Sequence, residues 1–309
     1  MGRRRKGDPV SGWVCLDKPE GMGSTLAVAR VRRAFNAQKA GHAGTLDPLA
    51  TGVLPIALGE ATKTVAFLMD ADKTYRFTIA WGATTASFDR EGAVTATSDV
   101  RPARDAVEVA LAAFVGEIAQ IPPAFSAVKV DGARAYDLAR AGISVDLAPR
   151  RVVIHDARVT GAPDADHVEI EVDCGKGTYI RALVRDLAQA LGACGHVSAL
   201  RRTRVGAFTL ERAIRLELLE KLCDTGAPLE ALLPVETALD DIPALAVTTE
   251  DAFRLAQGRS IVLLPRQVET LRARLSASRT VSARHGTRIV ALCEMRAGRL
   301  NPTRVFHLT

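Results

Sequence analysis

The sequence predicts an α+β fold built on a mixed, mainly antiparallel sheet, and three observations carry that prediction. Strand-like segments come in runs and hairpins, without the regular strand-helix-strand alternation of a parallel sheet. HVEIEVDC (167–174) alternates apolar and polar residues with a period of two, as a half-buried strand does. CGKGTYIRALVRDLAQALG (174–192) reads as strand, turn and helix, with Leu183, Val184, Leu187 and Leu191 on one apolar stripe and Thr178 placed to cap the helix. At 309 residues the chain exceeds a usual single core, so two domains are expected.

Residues 1–11, which include MGRRRK, read as a disordered basic arm. A first strand, GWVCLDKPEG, runs from Gly12 into a turn, and the apolar spacing of Leu26, Ala29, Val31 and Phe35 predicts a helix closing before Asn36. Residues 41–52 break every regular pattern, with glycines at 41, 44 and 52 and a proline at 48. Next come a strand over 53–58, a helix over about 60–70, an alternating strand over 74–81, and helices over 104–114 and 135–142. Strands over 151–159 and 167–174 precede the capped helix, and a strand over 196–210 follows it. Pro and Asp accumulate over 225–243, which sets the expected boundary between a first domain, 12–243, and a small β-rich domain, 244–309, holding one short helix at 249–256.

No apolar stretch approaches the length of a membrane span, and no apolar segment follows the basic start, so a cytoplasmic location is expected. Five cysteines without a CxxC pair, with six histidines, argue against a structural zinc site or a disulfide framework. The net charge of +6 favours an anionic partner, and 33 of the 41 basic residues are arginines, which suit bidentate phosphate contacts.

By residue chemistry alone, GHAGTLDPLATG (41–52) admits two readings. Asp47 before Pro48 fits a capped helix start, whereas the density of special backbone positions around one carboxylate fits a shaped functional loop. VDCGKGT (172–178) fails the spacing of a phosphate-binding P-loop, because Lys176 lies between two glycines and the Thr comes one place late. Only three tyrosines exist, at 75, 136 and 179; Tyr75, in a strand, is either a core residue or a stacking platform for a nucleobase.

GHAGTLDPLATGVLPIALGEATK (41–63) closely resembles the catalytic motif of the bacterial tRNA pseudouridine-55 synthases, the TruB family. LDKPEG (16–21), KTYRF (73–77), IPPAFSAVKVDGARAYDLARAG (121–142), GKGTYIRALVRDL (175–187) and HVSALRRTRVG (196–206) resemble further blocks of that family in its order. GRLNPTRVF (298–306) is similar to the small PUA RNA-binding domain. The resemblance implies a pseudouridine synthase catalytic domain followed by a PUA-like domain, acting on the T-arm of tRNA without cofactor or metal, as a monomer with no obligate protein partner. It makes Asp47 the catalytic carboxylate, Tyr75 the residue stacking on the target base, and Arg181 the partner of the carboxylate. Tyr179 and Leu200 line the uridine pocket, His42 positions the flipped nucleotides, and Lys18 and Pro19 support the wall of the site.

Two departures from the family pattern stand out: Ala86 and Ser87 replace an Asp-Thr pair before Asp89, and MGST follows KPEG where a Thr-Ser pair is usual. Pseudouridine formation breaks a glycosidic C–N bond, turns the base and forms a C–C bond, with no redox change. A carboxylate suits it as nucleophile or base, and an Asp side chain, titrating near 4, is ionised at neutral pH. Arg201, Arg202 and Arg204 are expected to hold the T-arm backbone. Two competing readings are a tRNA-folding chaperone with secondary catalysis and a guide-RNA-dependent synthase.

Overall fold

A computed structural model describes residues 7–126, 128–130, 133–134, 143, 146–275 and 279–308. In chain order its main elements are β1 (Gly12–Lys18), α1 (Ser24–Ala34), β2 (Ala40–His42), β3 (Thr51–Leu58), α2 (Val65–Asp70), β4 (Lys73–Trp81), α3 (Arg104–Ala112) and β5 (Gly116–Gln120). There follow β6 (Arg150–Asp164), β7 (His167–Cys174), α4 (Ile180–Ala190), β8 (Gly195–Val205), β9 (Phe208–Thr209), β10 (Ile214–Arg215) and α5 (Leu216–Asp224). The C-terminal part adds β11 (Ala244–Ala246), α6 (Thr249–Ala256), β12 (Ile261–Val262), α7 (Pro265–Arg274), β13 (Thr280–His285), β14 (Arg288–Arg296) and β15 (Arg299–Val305).

Ten strands form the large sheet, in the order β10-β1-β3-β8-β4-β7-β6-β5, with β9 on β8 and β2 on β3. Only the β1–β10 and β3–β8 pairings in it are parallel, so the fold is the expected α+β with a mainly antiparallel sheet. A second sheet, β11-β13-β14-β15-β12, makes the C-terminal part β-rich.

The continuous apolar run of β1 follows from its burial on both faces, since a strand covered on both faces need not alternate. Val14 and Leu16 face the main core with Leu54, Ile56 and Leu58 of β3, while Trp13 and Cys15 face the opposite cluster with Val53 and Ala57. That opposite cluster also takes Ile289 and Leu292 from the second sheet and Phe306 from just beyond β15, so the C-terminal part covers the far side of the first sheet. β4 alternates instead: Tyr75, Phe77, Ile79 and Trp81 enter the main core while Arg76 is exposed. α4 packs the same core with Leu183, Val184 and Leu187, each burial contributing about 1.5–3 kcal/mol.

Five expectations need adjustment. From Asp8 onward the presumed arm is tied down, its N–H donating to the Asn36 carbonyl (2.7 Å) and its carbonyl accepting from Gln38 (3.1 Å); residues 1–6 lie outside the described residues. The helix expected over 60–70 begins as a 3-10 turn at Gly59–Thr64 before becoming α2. Thr178 does not cap α4, because its hydroxyl donates to the Gly175 carbonyl (3.1 Å). The capping position falls to Tyr179, whose N–H donates to Gln120 Oε1 (2.8 Å). The C-terminal part holds a second helix, α7, besides the one short helix expected at 249–256. The helix expected over 135–142 lies outside the described residues.

Candidate active site

Asp47 sits on the turn that delivers the chain from β2 into β3. The capped-helix reading fails here: no helix follows Pro48, β3 begins at Thr51, and the turn closes through the main chain, Ala50 N–H to Asp47 carbonyl (3.1 Å). The carboxylate is left for other work. The backbone around it is pinned from both sides. Ser24 Oγ accepts from Leu46 N–H (2.8 Å) and donates to the Leu46 carbonyl (2.9 Å). Lys18, fully buried, donates to the carbonyls of Pro19 (2.9 Å), Met22 (2.6 Å) and Pro48 (3.2 Å), joining the KPEG turn to the residue after Asp47. Burial pushes the Lys18 ammonium down to about 8, partly offset by the negative charge of Asp47.

Arg181, in the first turn of α4, meets that carboxylate. Its Nε lies 2.9 Å from Asp47 Oδ2, with the arginine side chain 5% exposed and the aspartate 35%. Its other nitrogens are also engaged: Nη1 donates to the Ser87 carbonyl (3.1 Å) and lies 3.6 Å from Asp89 Oδ2, and Nη2 donates to the Phe125 carbonyl (2.8 Å). Asp89 is buried and held in turn by Ser87 Oγ (2.5 Å) and Glu91 N–H (3.0 Å). A buried guanidinium with this many acceptors is a fixed fork, and only the carboxylate at its outer end remains accessible.

On β4 and β8, Tyr75 pairs with Arg202 and Leu200 with Phe77, two residues along, and both Tyr75 and Leu200 belong to the apolar cluster that includes Leu46 and Leu49. Burial raises the Tyr75 hydroxyl above its ordinary range, against a smaller opposing effect of Arg202. Tyr179 precedes α4 and packs on Val128 and Leu147, with its backbone gripped on both sides by Gln120. Burial raises its hydroxyl too. His42, at the end of β2, has a buried Nδ1 without a hydrogen-bond partner among the described residues, and burial followed by the charge of Arg202 lowers its pKa. A histidine kept neutral in this way suits positioning better than acid-base work. The Asp47–Arg181 pair thus lies within electrostatic reach of Tyr75 and Tyr179, while Leu200 belongs to the core cluster that holds Tyr75 and His42 lies within reach of the Arg202 charge.

A match to the TruB family pseudouridylate synthase (N terminal domain) spans residues 32–180, and one to the tRNA pseudouridylate synthase B C-terminal domain spans residues 181–240. The tRNA pseudouridine synthase B of Caulobacter sp. (strain K31) is 72% identical over 310 residues, covering 100% of both chains. The chain belongs to the TruB family. A relative with the same name from Rhodospirillum rubrum is 49% identical, again over 100% of both chains. In solved structures, the Cbf5-Nop10-Gar1 complex contains a chain 26% identical to this one, with a TM-score of 0.72, covering 96% of this chain and 85% of that one.

Against the TruB pattern, the Ala86-Ser87 departure is structurally mild. The Ser87 hydroxyl bonds Asp89 and its carbonyl bonds Arg181, so the replaced pair still holds the second carboxylate in place. The expectation for the three arginines of β8 fails for Arg202, while Arg201 and Arg204 remain part-exposed. Arg202 is 1% exposed, and it donates from Nε to the Val53 carbonyl (2.8 Å), from Nη2 to Gly44 (3.1 Å) and from Nη1 to Thr45 (3.3 Å). Arg201 forks onto Asp17 (3.0 and 2.9 Å), and Arg204 pairs with Asp173 (2.7 Å). The bulge between Arg202 and Arg204 leaves Arg201 and Arg204, opposite Arg76 and Thr74, on one face of β8 and turns Arg202, opposite Tyr75, to the other, so the three do not present one basic surface. Arg202 therefore clamps the Asp47 loop from beneath. Gly52 completes the clamp, since at its φ of +97° a Cβ would stand 2.2 Å from the Arg202 carbonyl oxygen. Among the described residues no helix is long and apolar enough to cross a membrane.

Proposed function

We propose that this protein isomerises uridine 55 in the T-loop of tRNA to pseudouridine, with Asp47 as the catalytic carboxylate. The observation that carries this reading is the Asp47–Arg181 pair, a part-exposed carboxylate on a shaped loop, held 2.9 Å from a guanidinium that is otherwise buried. A uridine stacked in a folded loop must be flipped out to reach it, at a cost of a few kcal/mol. Tyr75 would offset about 1–3 kcal/mol of that by stacking, with Leu200 forming the apolar wall. Tyr179 closes the pocket from the helix side and His42 orients the neighbouring nucleotides.

The reaction is an isomerisation: one C–N bond breaks, the base rotates, and a C–C bond forms at the same sugar carbon. Asp47 opens it as nucleophile or base, and the proton then leaves the base carbon. Tyr75 enters as the neutral phenol, because burial disfavours its ionised form. It relays that proton rather than holding a preformed charge. The division into a catalytic domain over 12–243 and a PUA-like RNA-binding domain over 244–309 belongs to the same proposal, as does action without a protein partner.

The deciding experiment is incubation of purified protein with an unmodified tRNA transcript, followed by site-resolved pseudouridine detection. Wild type is expected to convert the T-loop uridine and Asp47→Asn to give none; no product from wild type sinks the assignment. Conversion of a bare T-arm hairpin separates this reading from a guide-RNA-dependent enzyme, and tRNA refolding by Asp47→Asn reads any chaperone activity by itself. Tyr75→Phe retaining full turnover would remove the relay role while leaving the stacking role intact.

A further inference from the structure

Arg181 ties two segments to α4: the loop over residues 85–92, through the Ser87 carbonyl (3.1 Å), and the stretch after β5, through the Phe125 carbonyl (2.8 Å). Arg185 stands one helical turn further along, and therefore on the same side of α4. It grips the same two segments. Its Nη2 donates to the Ile121 carbonyl (3.0 Å), and its guanidinium lies over the Phe88 ring, 5.5 Å from the centroid. Its Nε is taken by Asp186 (2.7 Å). The two arginines form two rungs between the same segments, the first carrying Asp47 at its outer end and the second ending on Phe88.

Phe88 sits between the two residues on which the inner part of the Arg181 fork depends. Before it, Ser87 offers its carbonyl to Arg181 and its hydroxyl to Asp89 (2.5 Å); after it, the buried Asp89 carboxylate lies 3.6 Å from Arg181 Nη1. The course of the main chain at Phe88 decides where both point. That course is unusual: Phe88 has a φ of +60°, in the left-handed region that a residue with a large side chain rarely holds. Its neighbours fix it there. The Phe88 N–H donates to the Thr85 carbonyl (3.1 Å), its carbonyl accepts from Val197 N–H (3.0 Å), and Thr85 Oγ1 donates to the Asp89 carbonyl (2.6 Å). Gly92 lets the loop fold back so closely that a Cβ there would stand 2.7 Å from the Ser87 nitrogen. Arg90 then pairs with Glu20 of the KPEG turn, whose Lys18 reaches the Pro48 carbonyl (3.2 Å).

A glycine would take this conformation without steric cost, so a phenylalanine here calls for a reason. Core packing does not supply it: the ring is half-buried, and among the described residues it belongs to none of the apolar clusters. Its neighbour is the Arg185 guanidinium.

We propose that Phe88 and Arg185 are positioning residues for the Asp47–Arg181 pair. The stacked ring locks residue 88 in its left-handed conformation, which sets the Ser87 carbonyl and the Asp89 carboxylate that fix the inner part of the Arg181 fork. The inference rests on the proposed role of Asp47 and adds the second rung. A planar guanidinium is attracted to the negative face of an aromatic ring, and the Ile121 carbonyl fixes the plane of this one, so the stack is directional. Because Phe88 acts through the fork, its loss reaches the chemical step and leaves RNA binding unchanged.

The test compares four variants with wild type. Phe88→Leu keeps apolar volume without a ring face, Phe88→Tyr keeps the ring, Arg185→Gln removes the cation, and the fourth combines Phe88→Leu with Arg185→Gln. Single-turnover pseudouridine formation on a tRNA transcript, tRNA affinity and melting temperature are read for each. Phe88→Leu and Arg185→Gln should each slow the single-turnover rate about tenfold, part of the roughly 10²-fold that a misplacement of about 1 Å costs. Affinity for tRNA should stay at the wild-type value, and Phe88→Tyr should recover the wild-type rate. The double variant should lose little more than the slower single variant, because both changes break one contact. A wild-type rate in Phe88→Leu, a Phe88→Tyr as slow as Phe88→Leu, or losses that multiply in the double variant overturns the proposal. So does a loss of tRNA affinity that matches the loss of rate, which would make the ring a platform for the RNA instead.

If Phe88→Leu melts early, the rate of Arg185→Gln decides, since its side chain is part-exposed on the helix. Absence of product from wild type would count against the proposed function instead. The second rung is then read by hydrogen exchange at the Arg90 and Val197 amides, which bond the Val197 and Phe88 carbonyls. Both should exchange faster in Phe88→Leu and Arg185→Gln and at the wild-type rate in Phe88→Tyr; unchanged exchange in the first two overturns it.

Discussion

Arg202→Met tests the idea that the Asp47 loop is clamped from within the sheet. The side chain is 1% exposed and donates to three carbonyls, those of Val53, Gly44 and Thr45. Hydrogen bonds from a charged donor contribute about 1.5–3 kcal/mol each, but neighbours in one network do not add. Removing one side of a buried charged network costs about 3–5 kcal/mol, because the groups left behind stay desolvated. We take about 4 kcal/mol, which at roughly 2–4 °C per kcal/mol for a domain of this size lowers the melting temperature by about 8–16 °C. Arg202→Lys keeps the charge, yet a single ammonium cannot span all three carbonyls, so it should fall between the two. Gly44 and Thr45 lead directly into Asp47, so kcat should fall in the Lys variant with KM little changed. The salt slope of tRNA binding by Arg202→Lys should equal that of wild type, because a buried arginine touches no phosphate. Calorimetry, single-turnover kinetics and a salt titration read these outcomes. A Met variant melting within about 2 °C of wild type, or an Arg202→Lys slope lowered by about one, would refute the clamp.

Other predictions follow from the same geometry. Asp89→Asn removes the second carboxylate facing Arg181, and the misplacement should lower kcat on the order of 10²-fold while tRNA affinity is retained. Ser87→Ala should lose part of that activity and Ser87→Thr should keep it, because only the hydroxyl bond to Asp89 is at stake. Gly52→Ala sets a Cβ 2.2 Å from a backbone oxygen at a φ of +97°, so a low yield of folded protein is expected, read by melting and by solubility. The pH dependence has a definite sign. Burial pushes the Lys73 ammonium down to about 8 from 10.5, so between those values the unfolded chain holds a proton that the folded chain has shed. Stability from this group therefore rises with pH across that window, and Lys73→Met should flatten the rise in urea titrations run at a series of pH values.

The sequence carried the strands well where pattern and burial agree. β4 alternates because one of its faces is buried, and β1 does not because both are. The pairing of Asp47 with Arg181 came through resemblance, since nothing in local spacing joins residues 134 positions apart. Arg202 was misread because RRTR looks like one basic patch, while β8 carries bulges between Val197 and Ala199 and between Arg202 and Arg204 that decide which side chain turns inward. α7 escaped because PRQVETLRAR has few apolar positions; Pro265 at its first position and the Gln267 side chain accepting from Leu264 N–H (2.9 Å) were the signals available. Gln120, which holds Tyr179 in place, had no mark in sequence at all, because its partner is a backbone group 59 residues away.

The site's organisation explains why an aspartate is held by an arginine rather than left in water. Arg181 is almost buried, and a charge so placed is costly unless it is paired and its donors are used. Ser87, Phe125 and Asp89 satisfy the inner part of the fork, leaving Asp47 as its outer partner. Because Asp47 is still about one-third exposed, water screens the pair in the resting protein. A uridine flipped over it would exclude that water and strengthen every interaction around the carboxylate, with no change of geometry. The arrangement is therefore preorganised on the arginine side and completed by the substrate on the aspartate side. On this account Asp89→Asn should weaken catalysis more than binding, since Asp89 helps to fix the fork and touches no RNA. Equal losses in kcat and affinity would place Asp89 at the RNA surface and contradict the account.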